Sequence, residues 1–371
     1  MKKEGIVYRV TEGPFRYNAW PTVCRDENGV IYAVCSGHRS SHVDPFGKNL
    51  MFVSTDGGES WSAPQIINDT WLDDRDAGIT YLGDGKLLLS YFHHPKDAYS
   101  GIWRDWILND GDPEFRPVLE GFLKAYEKFT PEMDTNGCFV KLSLDRGKTW
   151  GESVKTPLLA PHGAVKTISG RLLFYGVEFA ATMNRYEPEK YDDAIDPTPV
   201  EDRRAMFLYE SFDDGMTWEK VSKVPLSTND YCEPSIVEMP DGELIAAMRF
   251  HQEPETDNFT IHFVSSKDGG KTWSAPWRFG KTGAPPHLLL RKDGSIVMTY
   301  GRRSAPCGIR AVVSYDACRT FSEEIILSDA PNGDLGYPSS VELDDGSIVT
   351  VYYKPYGNDR RTSIMYTKWT V

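Results

Sequence analysis

A short apolar run, a tight turn and a second apolar run recur six times along the chain. In the clearest copy the runs are 236–239 and 244–248, and Pro240-Asp241-Gly242 separates them. Asp-Gly between two such runs is a strong hairpin signal, because the turn needs positive φ values that Gly and Asp or Asn tolerate. The two ends of a hairpin lie side by side. We therefore expect Glu233 and Arg249, just outside the two runs, to be neighbours.

The six turns stand at a fixed distance from the opening of their first strand. They begin at Asn28, Asp84, Ser169, Asp241, Asp293 and Asp345. Seven residues before each turn lies a position that we call the reference position of that repeat, occupied by Pro21, Ala77, His162, Pro234, Pro286 and Pro338. This offset puts the six strand openings in register without an alignment to any other protein.

A second repeat, Ser-x-Asp-x-Gly-x-Ser/Thr-Trp, alternates with the hairpins. Full copies occupy 54–61, 143–150, 211–218 and 266–273, and a degenerate copy occupies 314–321. The Asp and Ser side chains can bond the local backbone and Gly permits the bend, so each copy is a self-sufficient turn. We interpret these turns as scaffold.

Two hairpins of strand per repeat, six times over, predict an all-β fold, a six-bladed β-propeller formed as a single domain by residues 1–371. The last repeat lacks a fourth strand, and we expect residues 5–10 to complete that blade and close the ring. A two-domain all-β chain is the alternative, which the even spacing of the repeats disfavours.

Two stretches interrupt the pattern. Residues 95–137 follow the second strand of blade two, and Asp112-Pro113 before an apolar pattern with helical spacing predicts a short helix there. We expect this insertion to lie over the channel mouth. Residues 180–204, rich in Tyr, Asp, Glu and Pro, are interpreted as a long loop of blade three.

The charge and composition of the chain exclude several classes of binding partner. The net charge of −13 argues against nucleic acid or an anionic membrane, although a local arginine cluster could still bind an anionic small ligand. No run approaches a membrane span, and no Cys/His spacing resembles a zinc site, so neither metal nor cofactor is expected. The six scattered Cys indicate unpaired thiols. The first residues lack a secretory apolar region, so we expect a cytoplasmic protein, or a secreted one if a leader was removed. The oligomeric state stays open.

In a propeller the first strand of each blade lines the central channel, and its opening meets the end of the second strand at one face. Several arginines at one mouth would repel each other without an anion or carboxylates between them. The residues at these positions are therefore candidates for a site: Trp20, Arg39, Arg75, Asp76, His93, His162, Glu178, Glu233, Arg249, His287, Arg302, Arg303, Tyr337 and Tyr353.

The Asp-containing turns, together with "CEPSIVEMPDGELIAAMR", "TYGRR" and "GYPSSVELDDG", resemble the sialidase (neuraminidase) superfamily. In that family a Tyr attacks the anomeric carbon, a Glu takes its proton, an Asp is the acid/base and three Arg hold the sugar carboxylate. The resemblance implies that Tyr337 is the nucleophile and Glu233 its base. It assigns the carboxylate to Arg249 and Arg303, with Arg302 as the alternative to Arg303. A phenol, with a pKa near 10, needs such a partner, and an anionic sugar disfavours a carboxylate nucleophile.

The first blade departs from the family pattern. Family members open it with Arg-Ile-Pro, whereas this chain has Ala19-Trp20-Pro21. Arg75 stands two residues before the reference position of blade two, which is the offset that the missing arginine would hold in blade one. We hypothesise that Arg75 replaces it. A salt bridge from Arg75 to Asp73, Asp74 or Asp76 is the alternative.

Three residues compete for the acid/base role. Asp44 lies about where the family's Asp falls, but it also precedes a Pro and could be a turn residue. His42 and Asp76 are its rivals, because His titrates near neutrality and Asp76 points from a strand opening. Further substrate contacts are expected from Trp20, Arg39, His162 and His287.

The resemblance implies a retaining exo-glycosidase of sialidase type that releases sialic acid from a sialylated glycan. An exo-glycosidase or lyase acting on another acidic sugar is an alternative, because the first-blade arginine is missing. A catalytically silent glycan-binding propeller is the other. The presence of both Tyr337 and Glu233 argues against silence, since a lectin does not need a base beside a phenol.

Overall fold

A computed structural model describes residues 2–178, 205–226, 231–251 and 259–371. In these residues the strands form six sheets. Five of the sheets have four strands, and in four of these the strands follow simple chain order. This arrangement confirms the predicted six-bladed propeller. The long loop expected at 180–204 lies outside the described residues.

The chain enters through β1 (Lys3–Tyr8) and then builds blades one to three. Blade one contains β2 (Tyr17–Arg25), β3 (Ile31–Arg39), β4 (Lys48–Ser54) and β5 (Gln65–Asn68). Blade two contains β6 (Arg75–Gly83), β7 (Lys86–His93), β8 (Gly137–Ser143) and β9 (Val154–Thr156). Blade three contains β10 (Leu158–Leu159), β11 (Val165–Lys166), β12 (Leu172–Glu178), β13 (Met206–Ser211) and β14 (Glu219–Lys223).

Blades four to six complete the ring. Blade four contains β15 (Tyr231–Glu238), β16 (Leu244–Phe250), β17 (Thr260–Ser266) and β18 (Trp277–Thr282). Blade five contains β19 (Pro286–Leu290), β20 (Ile296–Arg302), β21 (Gly308–Ser314) and β22 (Ile325–Asp329). Blade six contains β23 (Gly336–Glu342), β24 (Ile348–Pro355) and β25 (Thr362–Trp369), with β1 as its outer strand.

The ring is closed by the first strand of the chain. β1 pairs antiparallel with β25, from Lys3 opposite Lys368 to Tyr8 opposite Ile364. The prediction that the N-terminal strand completes the last blade is therefore confirmed. Because the two ends of the chain share one sheet, the propeller cannot open without breaking backbone hydrogen bonds.

Apolar side chains are buried chiefly between neighbouring blades. The cluster that joins blades six and one includes Val23 and Phe52 on one side and Val351 and Tyr366 on the other. Equivalent clusters lie at the other blade contacts. Each blade is thus held by apolar packing against both of its neighbours. The first strands of the blades surround the axis of the ring.

The Asp-containing turns connect the third and fourth strands of five blades. In the first, the Asp56 carboxylate accepts hydrogen bonds from Ser54 Oγ at 2.8 Å and from the Ser60 amide at 3.0 Å. The degenerate copy keeps this geometry, with Cys318 at φ 62° in place of Gly. These side chains bond their own turn, as expected for scaffold.

The insertion in blade two is helical. It contains α1 (Lys96–Ser100), α2 (Arg104–Asp110), a 3-10 turn (Pro113–Phe115) and α3 (Arg116–Tyr126), where the predicted helix lies. Its own apolar cluster includes Tyr99, Leu119 and Leu123 and extends to Val43 of blade one. Among the described residues, the helices are too short and too polar to cross a membrane.

Candidate active site

Four blades open with the same irregular backbone. The residue just before the reference position has φ of 54° at Trp20, 48° at Asp76, 49° at Glu233 and 47° at Tyr337. At each of them the pairing of the first and second strands also shifts register. A β-bulge of this kind turns a side chain out of the ladder, and positive φ is strained for a bulky residue. All four side chains line one pocket.

The pocket has a volume of about 260 Å³ and is lined by both apolar and polar side chains. Its apolar wall includes Phe92, Leu159, Pro161 and Val177. Its charged and hydroxyl groups are Arg75, Asp76, Glu233, Arg249, Arg303 and Tyr337. A small concave site with few convergent polar groups is typical of small-molecule recognition.

A tyrosine and a carboxylate form the centre of the pocket. The Tyr337 hydroxyl donates a hydrogen bond to Glu233 Oε1 at 2.5 Å. Arg249 Nη1 donates to both oxygens of the same carboxylate, at 2.9 and 2.7 Å. The expected pairing of Glu233 with Arg249 across the hairpin is thus present. The Arg249 guanidinium also stacks on the Phe259 ring, with its central carbon 3.6 Å from the ring centroid.

These contacts fix the protonation states of the pair. Burial disfavours the charge of Glu233, but the Arg249 guanidinium and the Tyr337 hydrogen bond lower the pKa of Glu233 to about 2. Burial and the negative Glu233 raise the pKa of Tyr337 well above 10. At neutral pH the pocket therefore holds a carboxylate that accepts and a phenol that still carries its proton.

Arg303 and Arg302 point in different directions. Arg303 lines the pocket, and its Nη2 lies 3.3 Å from the buried Tyr353 hydroxyl. Arg302 turns towards Glu324, with 3.6 Å between Nη1 and Oε2. Arg302 is the last residue of β20 and Arg303 follows it, and of the two only Arg303 reaches the pocket.

Arg75 and Arg39 share one carboxylate. Arg39 is fully buried and engages both oxygens of Asp73, with Nη2 at 2.9 Å from Oδ2. Arg75 Nη1 lies 3.3 Å from Asp73 Oδ2, so the salt bridge that was the alternative for Arg75 is formed, and Arg75 also lines the pocket. The central guanidinium carbon lies 4.9 Å from the Trp20 ring centroid in Arg39 and 4.4 Å from it in Arg75. The single carboxylate of Asp73 therefore faces two guanidinium groups, so a net positive charge remains and Arg75 brings it to the pocket.

Asp76 is a buried carboxyl beside the tyrosine–glutamate pair. Burial raises the pKa of Asp76 to about 7; Arg75 opposes this shift, and the nearby Glu233 charge adds to it. Among the described residues, Asp76 Oδ1 has no hydrogen-bond partner. A carboxyl that titrates near neutrality at a cleft is suited to general acid–base work.

His42 lies at the rim, beneath the helical insertion. Its Nδ1 lies 2.7 Å from the Tyr17 hydroxyl and 3.4 Å from Asp334 Oδ1. The Trp106 ring of α2 stacks on the imidazole, with centroids 5.9 Å apart. Burial lowers the pKa of His42, although Asp334 acts in the other direction. Trp106, which is about half exposed, therefore joins the insertion to His42, a residue of the pocket lining.

The BNR repeat-like domain family matches residues 142–350, more than half of the chain, and a BNR/Asp-box repeat matches residues 52–63. The chain belongs to the BNR repeat-like domain family. None of the curated protein sequences compared with it matches.

Solved structures share the fold of this BNR propeller. A protein of unknown function from Dyadobacter fermentans is 23% identical with a TM-score of 0.73, over 99% of this chain and 98% of that one. The NanB sialidase of Streptococcus pneumoniae is 15% identical with a TM-score of 0.68, over 99% and 70%. Trypanosoma rangeli sialidase with 2,3-difluorosialic acid, a covalent intermediate, is 15% identical with a TM-score of 0.61, over 95% and 54%. The propeller thus has the sialidase fold.

Eight predicted site residues of the BNR propeller lie outside the pocket: Arg39, Asp44, His93, His162, Glu178, His287, Arg302 and Tyr353. Asp44 is fully buried, and its carboxylate accepts the Ser40 amide at 2.8 Å and the Phe46 amide at 2.7 Å. It is therefore the turn residue that the sequence offered as its alternative. Arg39 lies behind Trp20, and Arg302 faces Glu324, as described above.

His162 and His287 line a different cavity. It has a volume of about 460 Å³ and is bounded by the first strands of several blades, along the axis. The two imidazole rings are 5.2 Å apart, and burial lowers the pKa of His162 to about 4. His162 lies beneath Tyr337, with ring centroids 6.4 Å apart. Neither histidine is placed to contact a ligand in the pocket directly.

Sequence reasoning missed several pocket residues. Phe92 lies near the end of the second strand of blade two and His94 follows it, whereas the predicted His93 between them is bonded to Asp74 at 2.6 Å. Cys232 and His251 also line the pocket. Both flank the Glu233–Arg249 pair by one or two residues, so their position in the blade-four hairpin could have identified them. No group of three or more potential metal ligands occurs in the described part of the chain.

Proposed function

We propose that this BNR propeller is a retaining exo-glycosidase that hydrolyses the bond to a terminal, carboxylate-bearing sugar of sialic-acid type. The observation that carries the proposal is the hydrogen bond of 2.5 Å from Tyr337 to Glu233, at strained positions of two different blades. A phenol that is hydrogen-bonded to an ionised carboxylate can act as a nucleophile, because the carboxylate can accept its proton as the oxygen attacks. A binding module would have no use for this pair.

The charge of the pocket favours an anionic sugar. Arg75, Arg249 and Arg303 all line it, and the single carboxylate of Asp73 is shared between Arg75 and the buried Arg39 behind it. Against these three cations stand the ionised Glu233 and Asp76, whose pKa near 7 leaves it partly neutral at neutral pH. A net positive, largely buried pocket binds a carboxylate through charge-assisted hydrogen bonds.

Substrate binding also prepares the base. Arg249 holds both oxygens of Glu233. When a sugar carboxylate takes over part of the Arg249 guanidinium, Glu233 loses stabilisation of its charge and its proton affinity rises. It then accepts the phenolic proton as Tyr337 Oη attacks the anomeric carbon and the glycosidic bond breaks.

Asp76 is the group that we assign to the leaving oxygen. In its protonated form it donates a proton to that oxygen as the tyrosyl–sugar bond forms. The resulting carboxylate then takes a proton from the water that cleaves this bond, and Tyr337 regains its proton from Glu233. Two displacements at one carbon retain the configuration. Of the three acid/base candidates, Asp76 alone combines a place in the pocket, an unpartnered oxygen among the described residues and a pKa near 7.

A tyrosine suits an anionic sugar better than a carboxylate nucleophile would. A negative nucleophile must approach a carbon that bears a carboxylate, and like charges at contact distance repel strongly in a dry site. The neutral phenol avoids this repulsion until its proton leaves. The three arginines and the tyrosine thus suit the same anionic sugar.

The first blade favours a second candidate substrate, an acidic sugar other than sialic acid. Trp20 occupies the opening that carries an arginine in sialidases, and the third guanidinium comes from Arg75 of the next blade. The substrate carboxylate would then meet a different arrangement of cations. An exo-acting uronate glycosidase is therefore the second candidate function.

The experiment is a release assay on matched glycans. Purified protein is incubated with a panel of sialosides and glycosides of uronic acids, and the freed sugar is identified by mass spectrometry, with its first-formed anomer read by NMR. The expected result is release of an acidic sugar with retained configuration. Tyr337→Phe, which removes one hydroxyl, is the control and should lose at least about a hundredfold in turnover. Release that survives in Tyr337→Phe, or inversion of the anomer, would refute the mechanism.

A further inference from the structure

A cysteine forms part of the pocket wall beside the catalytic carboxylate. Cys232 precedes Glu233 on β15, is half-buried and lines the pocket. Its Sγ lies 2.9 Å from Nε2 of His251, which lines the pocket too. In the sheet, Cys232 is paired directly with Arg249.

The other five cysteines have different surroundings. All six lie in described residues, and none forms a disulfide. Burial raises the pKa of the thiols of Cys24, Cys35, Cys138 and Cys318. Cys307 is half-buried like Cys232, but its Sγ contacts the Arg303 carbonyl oxygen at 3.2 Å instead of an imidazole. Cys232 is thus the thiol whose neighbours are an imidazole and a guanidinium.

These neighbours favour the thiolate form. A nearby imidazole can accept the thiol proton, and the Arg249 guanidinium stabilises a negative sulfur, although the ionised Glu233 that Arg249 also holds acts in the other direction. Cys232 lines the same pocket as Asp76, a carboxyl that is more than nine-tenths buried and whose Oδ1 has no hydrogen-bond partner among the described residues. A small reagent that enters this pocket and binds to Asp76 or Arg249 therefore comes close to Cys232.

We propose that Cys232 is a modification site, at which small peroxides and alkylating electrophiles react with a thiolate that His251 helps to form. With a peroxide, the Cys232 sulfur attacks one oxygen, the O–O bond breaks and an S–O bond forms. The sulfur is oxidised by two electrons to a sulfenic acid, and the peroxide is reduced. The thiol proton, held by His251, goes to the departing oxygen, so hydrogen peroxide yields one water.

Modification would close the pocket. The added group projects into a space of about 260 Å³, next to Glu233 and across from Arg249. A sulfenic acid adds one polar atom there, and a carboxamidomethyl group adds several. Either product would compete with a ligand for the Arg249 guanidinium, so a reversible oxidation would reversibly block binding.

The test measures alkylation of the intact protein and needs no substrate. Iodoacetamide is added at pH 6.5, and the modified fraction of each cysteine is followed by peptide mass spectrometry. Cys232 is expected to react at least about tenfold faster than Cys307, with a rate that rises with pH to a midpoint below the usual thiol value of about 8.5. Equal rates at the two cysteines, or a midpoint at or above that value, would overturn the proposal.

Two variants assign the effect. His251→Asn keeps a polar side chain but removes the imidazole, and it should slow alkylation of Cys232 severalfold without changing Cys307. Unchanged reactivity of Cys232 in that variant would refute the role of His251. Hydrogen peroxide followed by a sulfenic-acid-specific probe should label the wild type but not Cys232→Ser; equal labelling of both would place the oxidised thiol elsewhere. Because these readouts do not depend on turnover, they can fail while the proposed glycosidase activity holds, and the reverse.

Discussion

Replacing Asp76 by Asn removes a charge that the folded protein holds at a cost. The side chain is 8% exposed, and burial raises the pKa of Asp76 from 3.8 to about 7. Between about pH 4 and pH 7 the native state therefore binds more protons than the unfolded chain. Stability falls as the pH rises through this window, and the loss is complete above the folded pKa.

The magnitude follows from the size of the shift. One pKa unit corresponds to 1.36 kcal/mol, so the ionised Asp76 destabilises the fold by about 4 kcal/mol in full. Of this, about 2.5 kcal/mol develops between pH 5 and pH 8. Asn has nearly the shape of the protonated carboxyl and does not titrate. The stability of Asp76→Asn relative to wild type should thus improve by about 2.5 kcal/mol over this interval.

Urea unfolding at pH 5 and pH 8, followed by fluorescence, measures the effect. Asp105→Asn is the matched control, because it removes a carboxylate of the same kind whose side chain is 89% exposed. The reasoning predicts that the Asp76→Asn and wild-type unfolding free energies diverge with rising pH. A difference that stays constant between the two pH values would refute the raised pKa and remove the basis for Asp76 as the acid.

Three further predictions concern activity and binding. With Asp76 as the acid, turnover should fall as the pH rises above about 7, and Asp76→Ala should hydrolyse activated aryl glycosides far better than natural ones; equal losses on both substrates would contradict this role. Arg75→Lys keeps the charge but not the planar fork, so it should weaken binding of a carboxylate-bearing analogue about tenfold by calorimetry, whereas Arg302→Lys, outside the pocket, should not. Trp106→Ala should change the preference among leaving-group sugars more than the hydrolysis of a small aryl glycoside, and an unchanged preference would separate the insertion from that side of the pocket.

The architecture could be predicted because it depends on the spacing between strand openings and turns. The offset of seven residues between reference position and turn is a property of the backbone ladder, and any residue set that keeps it produces the same hairpin. The pairing of Glu233 with Arg249 followed from the same rule. So did the closing strand β1, since the last repeat lacked a partner for β25.

Burial and side-chain direction were harder to predict. Nothing in the spacing distinguishes Asp44, which is enclosed by its own turn, from Asp76, which a bulge turns into the pocket. Arg302 and Arg303 differ by one residue, and a register shift elsewhere in a blade could have exchanged them. The shared signal was overlooked: Trp20, Asp76, Glu233 and Tyr337 all stand just before the reference position, and four bulky residues at a bulge point to one site.

The most direct test of the account is to trap the covalent intermediate. The protein is incubated with 2,3-difluorosialic acid, or with the equivalent fluorinated uronosyl fluoride if the release assay favours a uronate, and the labelled peptide is identified by mass spectrometry. We predict one sugar per chain, attached to the phenolic oxygen of Tyr337, and no label in Tyr337→Phe. A label on Glu233 or Asp76, or active turnover without any label on Tyr337, would contradict the central claim.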